Sequence, residues 1–186
     1  MIRGDRVLLR RIRDADWPQI EAWAENPDAL WGPFQRFQLD AVHALREAFD
    51  KTGLLSRESA LLLIETVAGG KAVGIVRYTL QHMADPEIPV PEVGFVIADS
   101  SSRGKGYARE AVELLLGYIF ARVPAERVSS FTDVANMPAR KLLESLGFQL
   151  EGTIRRAMFR GASWTDVAMY GIIRDEWQGR DGPPPN

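Results

Sequence analysis

The feature that most constrains the fold is an apolar segment that leads through a glycine-containing loop into an amphipathic helix. Residues 93–98 have the length and composition of a buried strand, and apolar residues from Ala108 onwards recur at helical spacing. The connecting residues 103–108 read Arg-Gly-Lys-Gly-Tyr-Ala. Backbone N–H groups of such a loop are open to a ligand, and the helix dipole favours negative charge there. The sequence therefore predicts an anion-binding site, and phosphate is its natural ligand.

Two common phosphate-binding motifs do not match this loop. A Walker loop requires lysine and then serine or threonine after its last glycine, whereas Gly106 is followed by Tyr107. A dinucleotide fingerprint requires glycine where this chain has Arg109, and it normally occurs in an early βαβ unit. Both mismatches disfavour a nucleotide-binding protein.

The rest of the chain mixes strand-like and helix-like segments. Strands are predicted at residues 7–12, 60–67, 71–80, 93–98 and 128–134, followed by a hairpin of residues 148–159 and 164–173. Helices are predicted between Asp16 and Asn26 and at residues 39–51, 107–121 and 136–146, and a proline-rich loop at residues 85–91. This mixture predicts an α/β fold with one domain at residues 1–177 and a flexible tail at residues 178–186.

The composition excludes several classes of function. The chain has 23 basic and 25 acidic side chains, which argues against a general nucleic-acid or membrane-surface binder. It contains no cysteine, so no acyl-cysteine intermediate can form within it, and its two histidines are too few for an ordinary histidine-based metal site. Neither a secretory segment nor a run of about eighteen apolar residues is present. We therefore expect a soluble cytoplasmic protein that holds no metal.

Two ordered motifs resemble those of the GNAT acyltransferase superfamily. The first is its acyl-coenzyme A loop, Arg/Gln-x-x-Gly-x-Gly/Ala, which Arg103, Gly106 and Ala108 satisfy. The second is NMPARKLLESLGF at residues 136–148. Further residues resemble the RimJ/RimL-like group of ribosomal-protein N-terminal acetyltransferases, namely Leu9, Arg10, Asp16, Trp23, Glu151, Gly152, Arg155, Trp164, Asp166, Glu176 and Trp177. The resemblance spans residues 6–177.

The resemblance implies a twisted, mostly antiparallel mixed sheet that is flanked by helices, with the strands at residues 93–98 and 128–134 splayed apart. Acetyl-coenzyme A is the implied cofactor, with its pantetheine arm in the gap and its diphosphate on the glycine loop. The implied cofactor-binding residues are Phe95, Val96, Ile97, Ala98, Arg103, Gly104, Lys105, Gly106, Tyr107, Ala108 and Asn136. Asn136 could equally cap the following helix, and Gly94 could serve either a bulge or packing.

The same resemblance implies an N-acetyltransferase that transfers an acetyl group from acetyl-coenzyme A to a primary amine in a direct ternary complex. Glu92 is the first candidate for the catalytic base, because many members place a glutamate there. Glu151 is a second candidate and Asp133 a third. Many members carry a tyrosine where this chain has Leu143. That departure keeps open an alternative, a non-catalytic module that binds acyl-coenzyme A for sensing or assembly.

The acceptor side is less constrained by the sequence. Trp31, Phe34 and Arg36 are predicted to form one wall of an acceptor cleft, although aromatic residues at this density are also typical of a core. The acceptor is either the α-amine of a protein N-terminus or a small-molecule amine. A homodimer is expected by analogy alone.

Overall fold

The computed structural model describes residues 1–26, 28–29, 41–83, 85 and 87–177. The strands are β1 (Ile2–Arg3), β2 (Val7–Arg11), β3 (Ser59–Thr66), β4 (Ala72–Gln81), β5 (Val90–Ile97), β6 (Arg127–Asp133), β7 (Gln149–Arg160) and β8 (Ser163–Ile173). The helices are α1 (Trp17–Glu25), α2 (Ala41–Thr52), α3 (Tyr107–Arg122) and α4 (Met137–Ser145). Short 3-10 turns cover Asp14–Asp16, Ser100–Ser102 and Arg174–Glu176.

All of these strands belong to one sheet, in the order β1-β2-β3-β4-β5-β6-β8-β7. Each neighbouring pair is antiparallel except β5 and β6, which run parallel. A mixed, mostly antiparallel sheet flanked by helices confirms the fold class expected from the sequence.

The parallel strands β5 and β6 share a short hydrogen-bonded ladder. Its ladder consists of one pairing, Glu92 with Ser129. On its other side, β5 continues to pair with β4 as far as Ile97. The carboxyl half of β5 therefore borders a gap, as the resemblance implies.

Helices cover both faces of the sheet. On one face, Leu115 of α3 and Leu143 of α4 are fully buried in a cluster that includes Val93 of β5. On the other face, α1 and α2 pack through a second cluster that includes Trp17 of α1 and Leu63 of β3. Successive residues of a strand point to opposite faces, so β5 and its neighbours separate the α3–α4 side from the α1–α2 side.

Arg10 joins β2, β3 and the turn before α1. Its guanidinium donates to the Asp16 carboxylate at 2.7 and 2.8 Å and to Glu65 Oε2 at 2.6 Å, and the residue is 8% exposed. The bidentate bond to Asp16 is the main cause that raises the pKa of Arg10 and lowers the pKa of Asp16. Both residues belong to the RimJ/RimL-like resemblance, and their role in the structure is to tie the first helix to the sheet.

The structure departs from the sequence prediction at several boundaries. β5 begins at Val90, inside the segment 85–91 for which the sequence predicts a loop. Pro91 fits into the strand because it lies opposite Leu80, whose N–H donates to the Glu58 carbonyl on the far side of β4. The proline nitrogen thus faces β6, and no hydrogen bond to β4 is lost. β1 is absent from the prediction, since two residues carry no periodicity.

The other predicted elements agree with the structure to within a few residues at each end. α2 begins at Ala41, and the predicted residues 39–40 lie outside the described residues. The predicted tail at residues 178–186 also lies outside them.

Gly74 allows β4 and β5 to approach closely, and its replacement tests this packing. A Cβ at this position would overlap the Val96 carbonyl oxygen and would lie 3.0 Å from the Ile97 Cα, which moves only with the strand. We expect Gly74→Ala to lower the free energy of unfolding by about 1–3 kcal/mol, the usual cost of overpacking.

Gly117→Ala in α3 is the matched control for this prediction, because no described atom from elsewhere lies within 4 Å of its Cβ. It should raise the free energy of unfolding by about 0.5–1 kcal/mol, since alanine favours a helix interior. Urea denaturation measures both changes. Equal stability of the two variants would contradict the close approach of β4 and β5.

Candidate functional site

The gap beside β5 exposes main-chain hydrogen-bonding groups. Three β5 carbonyls point away from β4, as their donors show: Pro91 accepts from Ser129 Oγ at 3.4 Å, Val93 from Ser130 Oγ at 3.0 Å and Ile97 from Arg103 Nε at 3.0 Å. Main-chain groups of alternate residues point to the same strand edge, so Phe95 shares this direction and Val96 faces β4. The N–H groups of Phe95 and Ile97 are therefore the donors that a ligand in the gap can reach.

Asp99 fixes the start of the loop that follows β5. Its carboxylate accepts from the Ser101 N–H at 3.3 Å and from the hydroxyl groups of Ser101 and Ser102. It also pairs with the Lys71 ammonium, whose hydrogen bond is the largest cause that holds the pKa of Asp99 well below its usual range. The loop therefore begins from a rigid, charged anchor.

The glycine loop ends at the amino terminus of α3, where the sequence predicts an anion site. Gly106 is the N-cap residue, with φ 80°, a value that favours glycine. The first bond of the helix runs from the Glu110 N–H to the Gly106 carbonyl at 3.1 Å. The N–H groups of residues 106–109 precede that bond, so the helix itself gives them no acceptor. They form the donor cluster that the sequence predicts.

Arg103 braces the loop. Its Nε donates to the Ile97 carbonyl at 3.0 Å, and its Nη2 donates to the Asp28 carbonyl after α1. The guanidinium thus lies across the end of β5, beside the gap. Both contacts are to main-chain oxygen atoms, so this family-motif arginine joins three segments of the chain.

Asn136 caps α4, which confirms one of its two predicted roles. Its Oδ1 accepts from the Ala139 N–H at 3.3 Å, and its Nδ2 donates to Thr132 Oγ1 at 3.1 Å. The cap fixes the side chain at the end of β6, where that strand borders the gap. Contact of Asn136 with a cofactor stays a prediction.

Glu92 lies where the gap opens. It follows Pro91 and precedes the buried Val93, so it points to the sheet face opposite α3 and α4, and its side chain is 16% exposed. Arg77 Nη2 of β4 donates to Glu92 Oε1 at 3.2 Å. A Cβ on Gly94, directly opposite Arg77, would lie 3.1 Å from the Arg77 Nε. Gly94 therefore serves packing, since the β4–β5 register continues through it without a bulge.

The second candidate base, Glu151, lies further along the same face. Its carboxylate pairs with Arg127 of β6, and the pair packs over Gly171 of β8. β7 is three strands away from β5, a lateral distance of roughly 14 Å at the usual strand spacing. The structure therefore does not bring the main chains of Glu92 and Glu151 together.

The third candidate, Asp133, is buried at the end of β6. Its side chain is 2% exposed, and it accepts from the Ala135 N–H at 2.8 Å and from Arg160 Nη2 at 2.6 Å. Burial opposes its ionisation, but these hydrogen bonds outweigh burial and lower the pKa of Asp133. It is a fixed anion that terminates β6, and a carboxylate of low pKa is a weak proton acceptor at neutral pH.

Leu143 is fully buried in the core between α4 and the sheet, as its helical stripe predicts. The phenol that approaches α4 comes from Tyr170 of β8. Its hydroxyl donates to Glu144 Oε1 at 2.7 Å and accepts from Arg140 Nε at 3.0 Å. Burial is the largest cause that raises the pKa of Tyr170.

Some predicted site residues lie outside the described part of the chain, and the sequence prediction omits one residue that the structure places beside Glu92. Trp31, Phe34 and Arg36, the predicted acceptor wall, lie outside the described residues. Arg77 is missing from the predicted site, because only the β4–β5 register places it beside Glu92. Trp164 is 61% exposed at the tip of the last hairpin, where it packs on Phe159 with ring centroids 5.3 Å apart.

The described part of the chain contains no group of three or more histidine or acidic side chains placed to hold a metal ion. No described helix has both the length and the apolar composition needed to cross a membrane.

Residues 6–149 match the family model for the acetyltransferase (GNAT) domain. The match covers more than half of the chain, which therefore belongs to the GNAT acetyltransferase family. The chain spans about half the length of the first curated relatives that it matches. It is similar to the putative ribosomal N-acetyltransferase YdaF of Bacillus subtilis, with 31% identity over 98 residues, 53% of each chain.

Solved structures share the fold. Mycobacterium smegmatis RimJ in complex with CoA-disulfide has a TM-score of 0.73 at 22% identity and covers 91% of this chain and 83% of that one. Spermidine N-acetyltransferase from Vibrio cholerae, in complex with CoA and spermine, has a TM-score of 0.76 at 20% identity and covers 93% and 98%. These likenesses establish the fold and include the RimJ/RimL group that the sequence resembles.

The lowered pKa of Asp133 predicts how the stability of the protein changes with pH. A lowered pKa in the folded protein stabilises the fold above the unfolded pKa of about 3.9, and this contribution is lost as the pH falls through the folded value. We expect Asp133→Asn to be less stable than wild type at pH 7, with the difference shrinking below about pH 4. Thermal unfolding across this pH range measures it, with exposed Asp175→Asn as control. A difference that stays constant down to about pH 3 would contradict the assignment.

Proposed function

We propose that the protein is an acetyl-coenzyme A-dependent N-acetyltransferase that acetylates a primary amine by direct attack within a ternary complex. The observation that carries this proposal is the gap between β5 and β6, whose free main-chain groups lie next to the glycine loop of α3. A pantetheine arm carries amides that can pair with a strand edge, and a diphosphate suits the amides of a helix amino terminus. Membership of the GNAT family supports the same conclusion.

The donor site divides into main-chain donors and side-chain braces. Phe95 and Ile97 would pair with the pantetheine amides, and the N–H groups of Gly106, Tyr107 and Ala108 would hold the diphosphate. Several N–H groups acting on one anion contribute more than exposed Lys105 acting alone, because a surface charge is screened. Arg103 and Asn136 keep the walls of the site in place.

Glu92 is the proposed base. It stands at the mouth of the gap, on the face away from α3, and a bridging water would carry the proton from the acceptor amine to its carboxylate. Arg77 balances its charge and restricts its orientation. A main-chain N–H near Ile97 would stabilise the carbonyl oxygen as it gains negative charge. Holding donor and acceptor together converts a bimolecular reaction into an intramolecular one.

Direct transfer agrees with the residues available. The chain has no cysteine that could carry an acetyl group. Leu143 supplies no acid to the departing thiolate, but a thiol with a pKa of about 8.5 is a tolerable leaving group near neutral pH. An α-amine with a pKa of about 8 is partly neutral under the same conditions and is a better acceptor than a lysine side chain.

The charges of the acceptor face support an acceptor with one amine. The three candidate carboxylates are each paired with an arginine, Glu92 with Arg77 of the adjacent strand, and Glu151 and Asp133 with Arg127 and Arg160 across β8. A polycation would require an excess of acidic groups, which these pairs do not provide. We therefore place the α-amine of a protein N-terminus ahead of a polyamine, in keeping with the names of RimJ and YdaF.

Leu143 favours one alternative, a GNAT module that binds acyl-coenzyme A without turning it over. Release of free thiol from acetyl-coenzyme A, measured with a panel of peptides and small amines, separates the two. Thiol release that depends on an acceptor supports the enzyme. Tight binding of the donor without turnover of any acceptor supports the sensor.

Glu92→Gln tests the base. We expect kcat at neutral pH to fall by about 10²-fold or more, the usual contribution of a positioned base, while donor affinity stays nearly unchanged. Glu151→Gln tests the second candidate in the same thiol-release assay, and Glu58→Gln, at an exposed position just before β3, is the control. A full rate in Glu92→Gln together with a low rate in Glu151→Gln would move the role to Glu151.

Gly106→Val tests the diphosphate loop. A branched side chain disfavours φ 80° and would cover the amides, so we expect donor affinity to fall by tenfold or more, as for the loss of about one hydrogen bond to a charged group. Gly161→Val carries similar backbone strain at φ 55° in the distant β7–β8 turn and is the matched control. Isothermal titration with coenzyme A measures both, and undiminished binding in Gly106→Val would remove the loop from the site.

A further inference from the structure

A buried carboxylate ties the start of the chain to the glycine loop. Glu110, in the first turn of α3, is 8% exposed. It accepts from the main-chain N–H of Asp5 at 2.5 Å and from the N–H of Arg6 at 3.1 and 3.3 Å. A Cβ on Gly4 would overlap the same carboxylate. The β1–β2 turn is therefore fitted closely around Glu110.

The turn held in this way carries an arginine to the glycine loop. Arg6 Nη1 donates to the Lys105 carbonyl at 3.2 Å. The same nitrogen lies 2.9 Å from the position of a Cβ on Gly106. Arg6 is exposed, so nothing in the packing of the core forces its side chain onto the loop. The hydrogen bond to Lys105 determines where the guanidinium lies.

The position of Arg6 sets the direction of one donor of the loop. In a trans peptide, the carbonyl of one residue and the N–H of the next point in opposite directions. With the Lys105 carbonyl held by Arg6, the Gly106 N–H is directed away from the Arg6 guanidinium. Gly106 belongs to this peptide and Gly104 lies one residue before it, and the conformational freedom of these glycines would otherwise allow the peptide to reorient.

We propose that Arg6 and Glu110 are positioning residues, which together preset the Lys105–Gly106 peptide for the donor diphosphate. The inference rests on the proposed function, because the diphosphate belongs to the proposed donor. A preset loop loses less conformational freedom on binding and therefore binds more tightly.

The contacts of Arg6 and Glu110 with the loop, which together form a brace, also resolve an electrostatic conflict. Glu110 places a negative charge in the helix turn that is proposed to receive a diphosphate, and an unpaired carboxylate there would repel it. The main-chain N–H groups of Asp5 and Arg6 donate hydrogen bonds to this carboxylate. The Arg6 guanidinium at the loop supplies a compensating positive charge. The carboxylate can thus anchor the turn without weakening the anion site.

The test compares a ligand with the diphosphate and one without it. Arg6→Met removes the donor to Lys105, and Glu110→Gln and Gly4→Ala disturb the anchor. We expect each variant to bind coenzyme A about tenfold more weakly, as for the loss of one hydrogen bond to a charged group, and to bind pantetheine with wild-type affinity. Arg6→Lys, which keeps a charged donor, should recover part of the loss. Arg3→Met is the matched control, since Arg3 is exposed on the preceding strand.

Steady-state kinetics provide a second readout. The KM for acetyl-coenzyme A should rise in these variants with kcat nearly unchanged, whereas the kinetics with acetyl-pantetheine should match wild type. Thermal unfolding without ligand identifies any variant that fails to fold. If Glu110→Gln or Gly4→Ala does not fold, the variants of exposed Arg6 still test the proposal.

The outcomes separate the brace from the function that it serves. Equal losses for coenzyme A and pantetheine, or no loss for either, would overturn the brace. If wild type binds coenzyme A but transfers no acetyl group, the proposed enzyme is wrong and the binding comparison still decides the brace. If wild type binds no coenzyme A, both proposals are wrong.

Discussion

The site depends on the early end of the ladder between β5 and β6. After the pairing of Glu92 with Ser129, the two strands separate, and the main-chain groups of Phe95 and Ile97 are left facing a gap. An unpaired strand edge presents main-chain groups that can pair with another segment, and β5 is held in place by its ladder with β4 and by the core beneath α3. Ser130 ends the ladder with a side-chain hydrogen bond to Val93. The gap is therefore a slot with unpaired main-chain groups, which suits the proposed ligand because a pantetheine arm carries amides of its own.

The glycine loop shows how a flexible sequence is held in a defined conformation. Glycine loses more conformational freedom on ordering than other residues, so a loop with two glycines needs external contacts to hold one conformation. Those contacts come from separate parts of the chain: Lys71 through Asp99, the β5 carbonyl of Ile97 through Arg103, and the β1–β2 turn through Arg6. These contacts do not use the N–H groups of residues 106–109, to which the helix gives no acceptor. The surface that remains is rich in donors, which is what an anion requires.

The sequence predicts the parts of this site whose signals are local. The glycine loop, the helix after it and the cap at Asn136 each lie within a few residues of their own motif, and the apolar stripe correctly places Leu143 in the core. The position of Arg77 beside Glu92 depends on the register of β4 and β5. Glu110 accepts hydrogen bonds from a turn about a hundred residues away in the sequence. No local sequence pattern predicts either contact. The predicted loop at Pro91 is wrong for the same reason, because only the pairing of β5 with β4 shows that the proline nitrogen faces β6 and costs no hydrogen bond to β4.

The two faces of the sheet are consistent with the proposed direct transfer, which needs no covalent intermediate. The glycine loop starts α3, which packs on one face, whereas Glu92 and the cross-strand ion pairs occupy the other. A donor anchored at the loop and threaded along β5 would present its carbonyl at the opening beside Glu92, and an amine would approach from the opposite face. Both reactants then meet across the slot with separate binding surfaces, so neither has to leave before the other enters. An enzyme nucleophile would add a step that this geometry makes unnecessary.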